Sequence, residues 1–470
     1  MNTWYDKAFF YQFYPMGLTG APKNNSWDAT NAWNGAPKPV NRLEKTIREG
    51  GWIEHLKRLG VSAVYFSPVF QSDRHGYDTR DYYTIDSRLG SNEDFARLCN
   101  QLHTSNIKVV LDGVFNHVGR GFWAFKDVQK NKQNSAYTDW FYLDWSRNSN
   151  DNDGFWYEGW EGHFDLVKLN LKNPEVVKHL FGAIKKWIEL FKIDGIRLDV
   201  AYSLSDDFLR QLRSFIQNFS NQIVLIGEII YAKDMKRIAN DKLHSCTNYE
   251  CYKALWSSCN DINMFEIAHS LNRFFGEHGL FKGIQLMSFL DNHDVSRIAS
   301  QLKNSAHIPL VYGLLFGMPG VPCVYYGSEW AITGKKEDGD EGLRPALVHP
   351  EWNSITDFIA QLSFLRRQQI VLQKGGYKQL MVTNGQFIFE RTVSSECLAS
   401  NGDGQSIVIC VNLENHEYIA HQNGQSSDGG YGNFDGLFGN YINLFTGEVH
   451  HFTGSISLPP VSILYLKTQA

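Results

Sequence analysis

The sequence lacks the features of membrane, nucleic-acid-binding and disulfide-stabilised proteins. No apolar run approaches the roughly 20 residues that cross a bilayer, and a formal net charge of −5 gives no basic field for a nucleic acid. The 7 Cys are odd in number and lack metal-site spacing, which fits a reducing compartment. No basic stretch precedes an apolar run at the N-terminus. We therefore expect no signal peptide and a cytoplasmic protein, or a secreted one if a leader has been removed.

Aromatic residues, in contrast, are abundant. They form 14% of the 470 residues, with 13 Trp and 22 Tyr. Flat rings stack on sugars and bases, although a large aromatic core is the simpler interpretation. The hydrophobic content of 43% and the charged content of 20% are ordinary for a globular protein. The length accommodates one large domain and a smaller one.

Strand and helix patterns alternate through most of the chain, as in a protein built from repeated β-α units. The apolar runs are typical of parallel strands buried under helices. They cover residues 8–15, 61–69, 108–115, 195–201 and 223–230, with weaker runs at 245–252, 284–294 and 321–327. Eight such repeats predict an α/β fold, a (β/α)8 TIM barrel.

Two stretches break this alternation. Residues 118–172 are rich in Trp, Asn, Asp and Gly and too long for a loop, so they predict a small inserted domain after strand 3. From residue 373 onward, short strand patterns replace helices and predict a C-terminal antiparallel β-sandwich over 373–470, with a loop at 421–433. The catalytic barrel would then comprise residues 1–117 and 173–372.

Charged side chains end several of the predicted strands. They lie in DGVFNH, DGIRLDVA, GEII and FLDNHD, and in HGYDTRDYY after the second strand. The carboxyl ends of barrel strands meet on one face, where catalytic groups lie. Taken singly, an aspartate there is more often a helix N-cap, a histidine a core residue and a glutamate the partner of a structural arginine. Their coincidence on one rim favours a functional site.

Paired carboxylates on this rim suggest cleavage of a glycoside. One carboxylate attacks the anomeric carbon as an anion, and the other protonates the leaving oxygen. Arg197 and Asp199 share one strand face, so Arg197 is expected to lower the pKa of Asp199 and keep it ionised. Glu228, at the end of the next strand, is expected to hold the proton.

The four motifs, in this order, resemble the signature regions of the α-amylase family of glycoside hydrolases over roughly residues 8 to 370. The resemblance implies a retaining mechanism with Asp199 as nucleophile, Glu228 as general acid/base and Asp294 as transition-state stabiliser. It implies a central sugar site lined by His75, Tyr77, His117, Arg197 and His293. It also implies that Asp340 and Arg344 hold the next sugar towards the non-reducing end.

The substrate implied by the resemblance is an oligosaccharide or polysaccharide α-glucan of the starch and maltodextrin type. LVKLN (166–170) is similar to the MPKLN of neopullulanases and cyclomaltodextrinases. An α-1,4-glucan hydrolase is the leading hypothesis, and an exo-acting α-glucosidase, a cyclomaltodextrinase or a glucanotransferase would use the same residues. A non-catalytic scaffold is disfavoured because all three carboxylates are present. The oligomeric state is left open, and Trp156, Trp160 and Phe164 could stack on glucose or form the inserted domain's own core.

Asn116 corresponds to the family's calcium-binding asparagine and is the one candidate metal ligand. A hard cation such as calcium needs six or more oxygen ligands, and the sequence identifies no others. Asn116 could instead brace Asp112 and the end of its strand. No required cofactor is expected, and structural calcium is left as an open alternative.

Overall fold

A barrel of eight parallel strands forms the centre of the molecule. The computed structural model describes residues 4–25, 37–393, 405–421 and 435–469. The barrel strands are β1 Phe10–Phe13, β2 Ala63–Phe66, β3 Lys108–Gly113, β4 Gly195–Leu198, β5 Val224–Gly227, β6 Ser245–Cys246, β7 Met287–Phe289 and β8 Val321–Tyr325. Their spatial order is β6-β5-β4-β3-β2-β1-β8-β7, and a parallel bridge from Thr247 to Met287 closes the ring. The predicted (β/α)8 barrel is confirmed.

Helices cover the outside of this barrel. The longer ones are Leu43–Glu49, Trp52–Leu59, Asn92–Thr104, Pro174–Phe191, Asp206–Gln217, Tyr249–Asn260, Phe265–Phe275, Ile308–Gly317 and Ser354–Gln368. The helix Pro174–Phe191 shows why such segments pack on the barrel: its apolar residues recur at helical spacing and face the barrel. The Asn173 side chain accepts a hydrogen bond from the Glu175 amide, and proline occupies the first helical position.

A segment with its own strands and helix follows β3. It contains the helix Trp123–Asn131 and a three-stranded antiparallel sheet of His117–Gly119, His163–Lys168 and Gly159–Trp160. Arg120 holds it together by two hydrogen bonds to the Asp153 carboxylate, of 2.8 and 2.9 Å. The limits of 118–172 for this inserted domain, like the other domain boundaries, stay a prediction.

The aromatic residues of the inserted segment divide between two roles. The Trp156 ring lies under Arg147, at 4.6 Å, and Phe164 packs against Tyr157 within the segment. Trp160 instead contacts the ring of His117 at the barrel rim, with centroids 5.7 Å apart. Of the three aromatics singled out from the sequence, Trp160 is thus the one in contact with a predicted sugar-binding residue.

The C-terminal part is an antiparallel β-sandwich, as predicted. Its larger sheet has strand order Gly376–Val382, Gln386–Val393, Gln405–Asn412, Ser462–Thr468, Phe438–Asn443, Val449–Thr453, and the smaller pairs Tyr418–Ala420 with Ile456–Leu458. Alternate residues face opposite ways: Phe387 and Phe389 join the barrel's core, and Ile388 joins a second core between the sheets. Residues 422–434, which include most of the predicted loop 421–433, lie outside the described residues.

The six described cysteines are free and buried. No helix within the described ranges has both the length and the apolarity that crossing a membrane requires.

Candidate active site

The ends of β3, β4 and β5 bring four charged side chains together. Arg197 of β4 lies beside Asp112 of β3 in the sheet register. Backbone hydrogen bonds continue past the strand ends, from the Asp199 amide to the Gly113 carbonyl at 3.1 Å and from the Glu228 amide to the Leu198 carbonyl at 2.9 Å. The sheet itself therefore fixes where Asp199 and Glu228 leave the barrel wall.

One guanidinium, that of Arg197, contacts three carboxylates. Its Nη1 donates to both Asp112 oxygens, at 3.0 and 3.1 Å, and to Asp199 Oδ1 at 2.9 Å. Its Nη2 lies 2.9 Å from Glu228 Oε1. Because Asp199 and Glu228 bind the two nitrogens of one planar group, their carboxyl groups lie close together at the same end of the barrel.

Burial and the neighbouring charges together set the pKa of Asp199. Burial raises this pKa well above its ordinary value, Arg197 lowers it, and the nearby charges of Glu228 and Asp112 raise it. The expected lowering by Arg197 is present, but burial, the largest cause, outweighs it.

Val200 connects the two carboxylates through its backbone. Its amide donates to Glu228 Oε2 at 2.9 Å. Val200 directly follows Asp199 in the chain, so one peptide unit contacts Glu228 and is joined to Asp199. Val200 has φ of 39°, in the left-handed region, where a β-branched residue is rarely found. Strain of this kind costs on the order of 1–3 kcal/mol and persists only where the surroundings enforce it.

Asp294 lies on the opposite side of the cleft, where Arg344 and His293 contact its carboxylate. Arg344 Nη2 is 3.0 Å from its Oδ1, and His293 Nε2 is 3.0 Å from its Oδ2. Burial alone would raise the pKa of Asp294, but His293, Arg344 and Arg197 together lower it well below its usual range. Arg344 Nη1 also binds Asp340 Oδ2 at 2.9 Å. Asp294 is thus an anion over the working pH range, and its carboxylate is 41% exposed to the cleft.

Tyr77 and His293 form the floor between these two groups of charges. The Tyr77 hydroxyl donates to Asp112 Oδ2 at 3.1 Å and contacts His293 Nε2, and the two rings are nearly parallel with centroids 5.2 Å apart. The Gln12 amide nitrogen lies 2.9 Å from His293 Nδ1. Since that nitrogen can only donate, the His293 proton sits on Nε2, facing Tyr77 and Asp294.

The remaining two histidines line the cleft. Burial lowers the pKa of His117 to about 3, with His75 adding to the effect, so His117 is neutral. Its Nε2 is 3.8 Å from Asp199 Oδ2 and has no hydrogen-bond partner among the described residues. It is therefore available to a ligand. His75 is partly exposed, and its Nδ1 accepts from the Tyr77 amide at 3.3 Å.

Every residue predicted for catalysis or sugar binding thus lies in one connected network at the carboxyl ends of the strands. Sequence reasoning missed Gln12, Tyr65, Tyr249 and Asn292, and left Asp112 without a role. Tyr65 donates to Asp112 Oδ2 at 2.6 Å from inside β2. A polar side chain within an apolar strand was the signal that could have identified Gln12 and Tyr65.

Asn116 is engaged within the protein by its side chain and its backbone. Its side-chain nitrogen lies 3.3 Å from His117 Nδ1, and its backbone carbonyl accepts from the Leu169 amide at 3.0 Å. The described ranges contain no group of three or more His, Cys, Asp or Glu arranged to hold a metal. The Asp153 carboxylate of the inserted segment is paired with Arg120. The geometry favours a bracing role for Asn116.

We therefore expect a chelator to leave the protein unchanged. In EDTA, the Tm and the activity should equal those of the protein supplied with calcium chloride, because Arg120 already provides the cation that the inserted segment needs. Differential scanning fluorimetry in both buffers measures this. A lower Tm in EDTA that calcium restores would reinstate Asn116 as a ligand.

Comparison with known proteins agrees with this geometry. A family profile described as "Alpha amylase, catalytic domain" matches residues 51–357. The chain is 29% identical to the intracellular maltogenic amylase of Bacillus subtilis (strain 168), over 87% of this chain and 70% of that one. It is 30% identical to a cyclomaltodextrinase of Bacillus sp, over 80% of this chain and 68% of that one. Among solved structures, the cyclic alpha-maltosyl-(1→6)-maltose hydrolase from Arthrobacter globiformis, in complex with that cyclic sugar, superposes with a TM-score of 0.78 at 27% identity and covers 99% of both chains.

Proposed function

Because this chain belongs to the alpha-amylase family of glycoside hydrolases, we propose that it hydrolyses α-1,4-glucosidic bonds in maltodextrins with retention of anomeric configuration. Its relatives are enzymes of the maltogenic amylase, cyclomaltodextrinase and neopullulanase type. The observation that carries the proposal is the Arg197 guanidinium with Asp199 on one nitrogen and Glu228 on the other, each at 2.9 Å. A short separation between two carboxyl groups is typical of retaining glycosidases.

In the first step, Asp199 attacks the anomeric carbon from the face opposite the leaving oxygen. The bond from that carbon to the leaving oxygen breaks, and Glu228 gives its proton to that oxygen. The Asp199–sugar ester forms as the negative charge of Asp199 is consumed. Arg197 stays bound to Asp112 throughout, so it remains in place while its contact with Asp199 weakens.

In the second step, Glu228 works in reverse. Now an anion, it takes a proton from a water molecule whose oxygen attacks the anomeric carbon and displaces Asp199. Positive charge develops on the sugar ring in both transition states. Asp294, held as an anion by His293 and Arg344, is placed to stabilise that charge.

The cleft has two chemically different sides. Glu228 must face the leaving group, so the released sugar lies beyond β5. The sugar that is retained lies towards Asp294, where Arg344 and Asp340 stand at the rim. The free Nε2 of His117 is placed to bond a hydroxyl of the central sugar. This arrangement supports the predicted sugar-binding roles.

Products of maltoheptaose test the proposal. We expect short linear maltooligosaccharides of mixed length, and by NMR the first product should carry the α configuration at the newly formed reducing end. Glucose as sole product would indicate exo action, and products longer than the substrate would indicate transfer. An initial β product would contradict the retaining mechanism and the paired roles of Asp199 and Glu228.

Cyclic maltodextrins are the second candidate substrates. The observations that favour them are the cyclomaltodextrinases among the relatives and the solved neighbour that holds a cyclic tetrasaccharide. A ring must be opened by endo cleavage, since it has no end. The ratio of kcat/KM on a cyclic and a linear maltoheptaose decides between these preferences.

We also propose that the protein works in the cytoplasm. A relative is named as an intracellular enzyme, and the free, buried cysteines fit a reducing compartment. Cell fractionation followed by immunoblotting tests this location.

A further inference from the structure

Two residues outside the signature roles connect the catalytic groups on the two sides of the cleft. The Tyr249 hydroxyl lies 3.4 Å from Glu228 Oε1. Asn292 Nδ2 donates to the Tyr249 oxygen at 3.1 Å, and Asn292 Oδ1 accepts from the Asp294 amide at 2.8 Å. A continuous path of hydrogen bonds therefore runs from the backbone of Asp294 to the carboxyl group of Glu228.

The direction of each hydrogen bond in this path is fixed by chemistry. The Asp294 amide and the Asn292 side-chain nitrogen can only donate. The Tyr249 oxygen accepts from Asn292, so its own hydrogen is available to Glu228. Burial raises the pKa of Tyr249 well above its ordinary value, and the charge of Glu228 adds to this, so the phenol keeps its proton. Tyr249 is therefore a donor to the carboxylate form of Glu228.

Tyr249 is also mechanically fixed. It begins the helix Tyr249–Asn260, and the preceding Asn248 caps that helix through the Cys251 amide at 3.2 Å. The Asn248 amide in turn donates to the Met287 carbonyl of β7 at 2.8 Å. The Tyr249 ring packs edge-on against Phe289, with centroids 4.9 Å apart. Tyr249, in the middle of the path, is thus anchored to the β6–β7 closure of the barrel.

We propose that Tyr249 is a positioning residue for Glu228: with Asn292 it holds the Glu228 carboxyl at a set place relative to Asp294 and stabilises the anion that remains after Glu228 has protonated the leaving oxygen. This proposal rests on the proposed function. In the step itself, the proton leaves Glu228 for the leaving oxygen, and the Tyr249 hydrogen stays on its own oxygen while its bond to Glu228 strengthens. Arg197 and the Val200 amide hold the same carboxylate from other directions.

The test compares Tyr249→Phe on two substrates that differ in their need for an acid. Maltotriose has a poor leaving group that must be protonated, whereas a 4-nitrophenyl maltoside releases 4-nitrophenolate, which leaves as a stabilised anion. We expect kcat/KM to fall about tenfold on maltotriose and less than about threefold on the aryl maltoside. The basic limb of the pH profile on maltotriose should also move to higher pH, because the carboxylate has lost a donor that favours its charged form.

Tyr252→Phe is the matched control. Its ring stacks on the same Phe289, with centroids 5.1 Å apart, and it lies in the same helix, so this variant changes the packing chemistry without touching Glu228. We expect wild-type values from it. Asn292→Ala is the second variant, and it should reproduce the substrate-dependent loss if Tyr249→Phe fails to fold by near-UV circular dichroism.

The outcomes separate cleanly. Any one of three results would overturn the proposal and leave Tyr249 with a packing role only. These are an equal loss of kcat/KM on both substrates, an unchanged basic limb of the pH profile, or a loss of the same size in Tyr252→Phe. If the wild-type protein cleaves neither maltotriose nor the aryl maltoside, the proposed function has failed before the variants are compared. A loss confined to the poor leaving group, in Tyr249→Phe or Asn292→Ala, supports the positioning role.

Discussion

Asp199→Asn and Glu228→Gln should each lower kcat/KM on a maltooligosaccharide by about four orders of magnitude or more, with the fold retained. Asp199→Asn removes the oxygen nucleophile that forms the covalent intermediate, and Glu228→Gln removes the proton for the leaving oxygen. Both replacements keep the shape of the side chain, so the Arg197 contacts lose charge and not volume. Initial rates on maltoheptaose, with circular dichroism as a check of folding, measure the effect.

Small anions can assign the two roles separately. Azide should restore turnover of an aryl maltoside by Asp199→Ala and yield the β-glycosyl azide, since it attacks from the face that Asp199 vacates. With Glu228→Ala, azide should give the α-glycosyl azide, because it intercepts the intermediate on Asp199. Asp207→Asn, whose side chain is 87% exposed, is the control for loss of a carboxylate and should keep full activity. Exchanged azide products would reverse the assignments, and near wild-type activity in Asp199→Asn would remove it as the nucleophile.

Arg197→Gln should have the largest effect on stability. Removal of the one cation shared by three buried carboxylates is expected to cost about 3–5 kcal/mol at neutral pH, seen as a fall in Tm of roughly 3–5 °C. The loss should shrink as the pH falls towards about 4 to 5. Thermal melts from pH 4.5 to 8 measure both effects.

The sign of this pH dependence follows from Asp199. Its pKa is raised in the folded protein, so the folded state holds a proton that the unfolded state has released. Stability is therefore lost as the pH rises from the ordinary carboxyl value through the folded pKa. Without Arg197 this window extends to higher pH. If the stability loss of Arg197→Gln grew as the pH fell, repulsion among the three carboxylates would not be its cause.

Asp199→Asn provides the matched opposite change. It removes one of the three carboxylates and leaves Arg197 paired with Asp112 and Glu228, so it should raise the Tm at neutral pH even as it abolishes activity. Combined with Arg197→Gln, it should recover part of the lost stability. Strict additivity of the two changes in Tm would contradict a direct interaction between them.

The pattern of the chain predicted the architecture well and its short strands poorly. The run 245–252 was expected to be a strand, but only Ser245 and Cys246 pair with β5. Asn248 caps a helix at that point, and a few apolar residues cannot distinguish a buried strand from the first turn of a helix. The sequence pattern therefore predicts a strand at Tyr249 and does not indicate that this residue contacts Glu228.

In the candidate site, the sequence likewise predicts which charged residues are present but not how their charges interact. Alternation along β4 predicted that Arg197 and Asp199 share a face, and they do. It could not show that Asp112, one strand away, lies at the same register, or that Glu228 takes the other guanidinium nitrogen. A pKa depends on all neighbours in space, whereas a sequence lists neighbours along one strand. The residues were predictable, and the balance of charge among them was not.

The left-handed backbone at Val200 joins the residue that carries the attacking oxygen to the carboxyl group that delivers the proton. A change in the backbone conformation of Val200 would move the attacking carboxylate of Asp199 and the proton-delivering carboxyl group of Glu228 at the same time. A mutation therefore cannot adjust the position of one without disturbing the other. Sequence changes among descendants of such a catalyst should therefore accumulate elsewhere: in the turns around Trp160, beside His117, and in the stretch before Arg344.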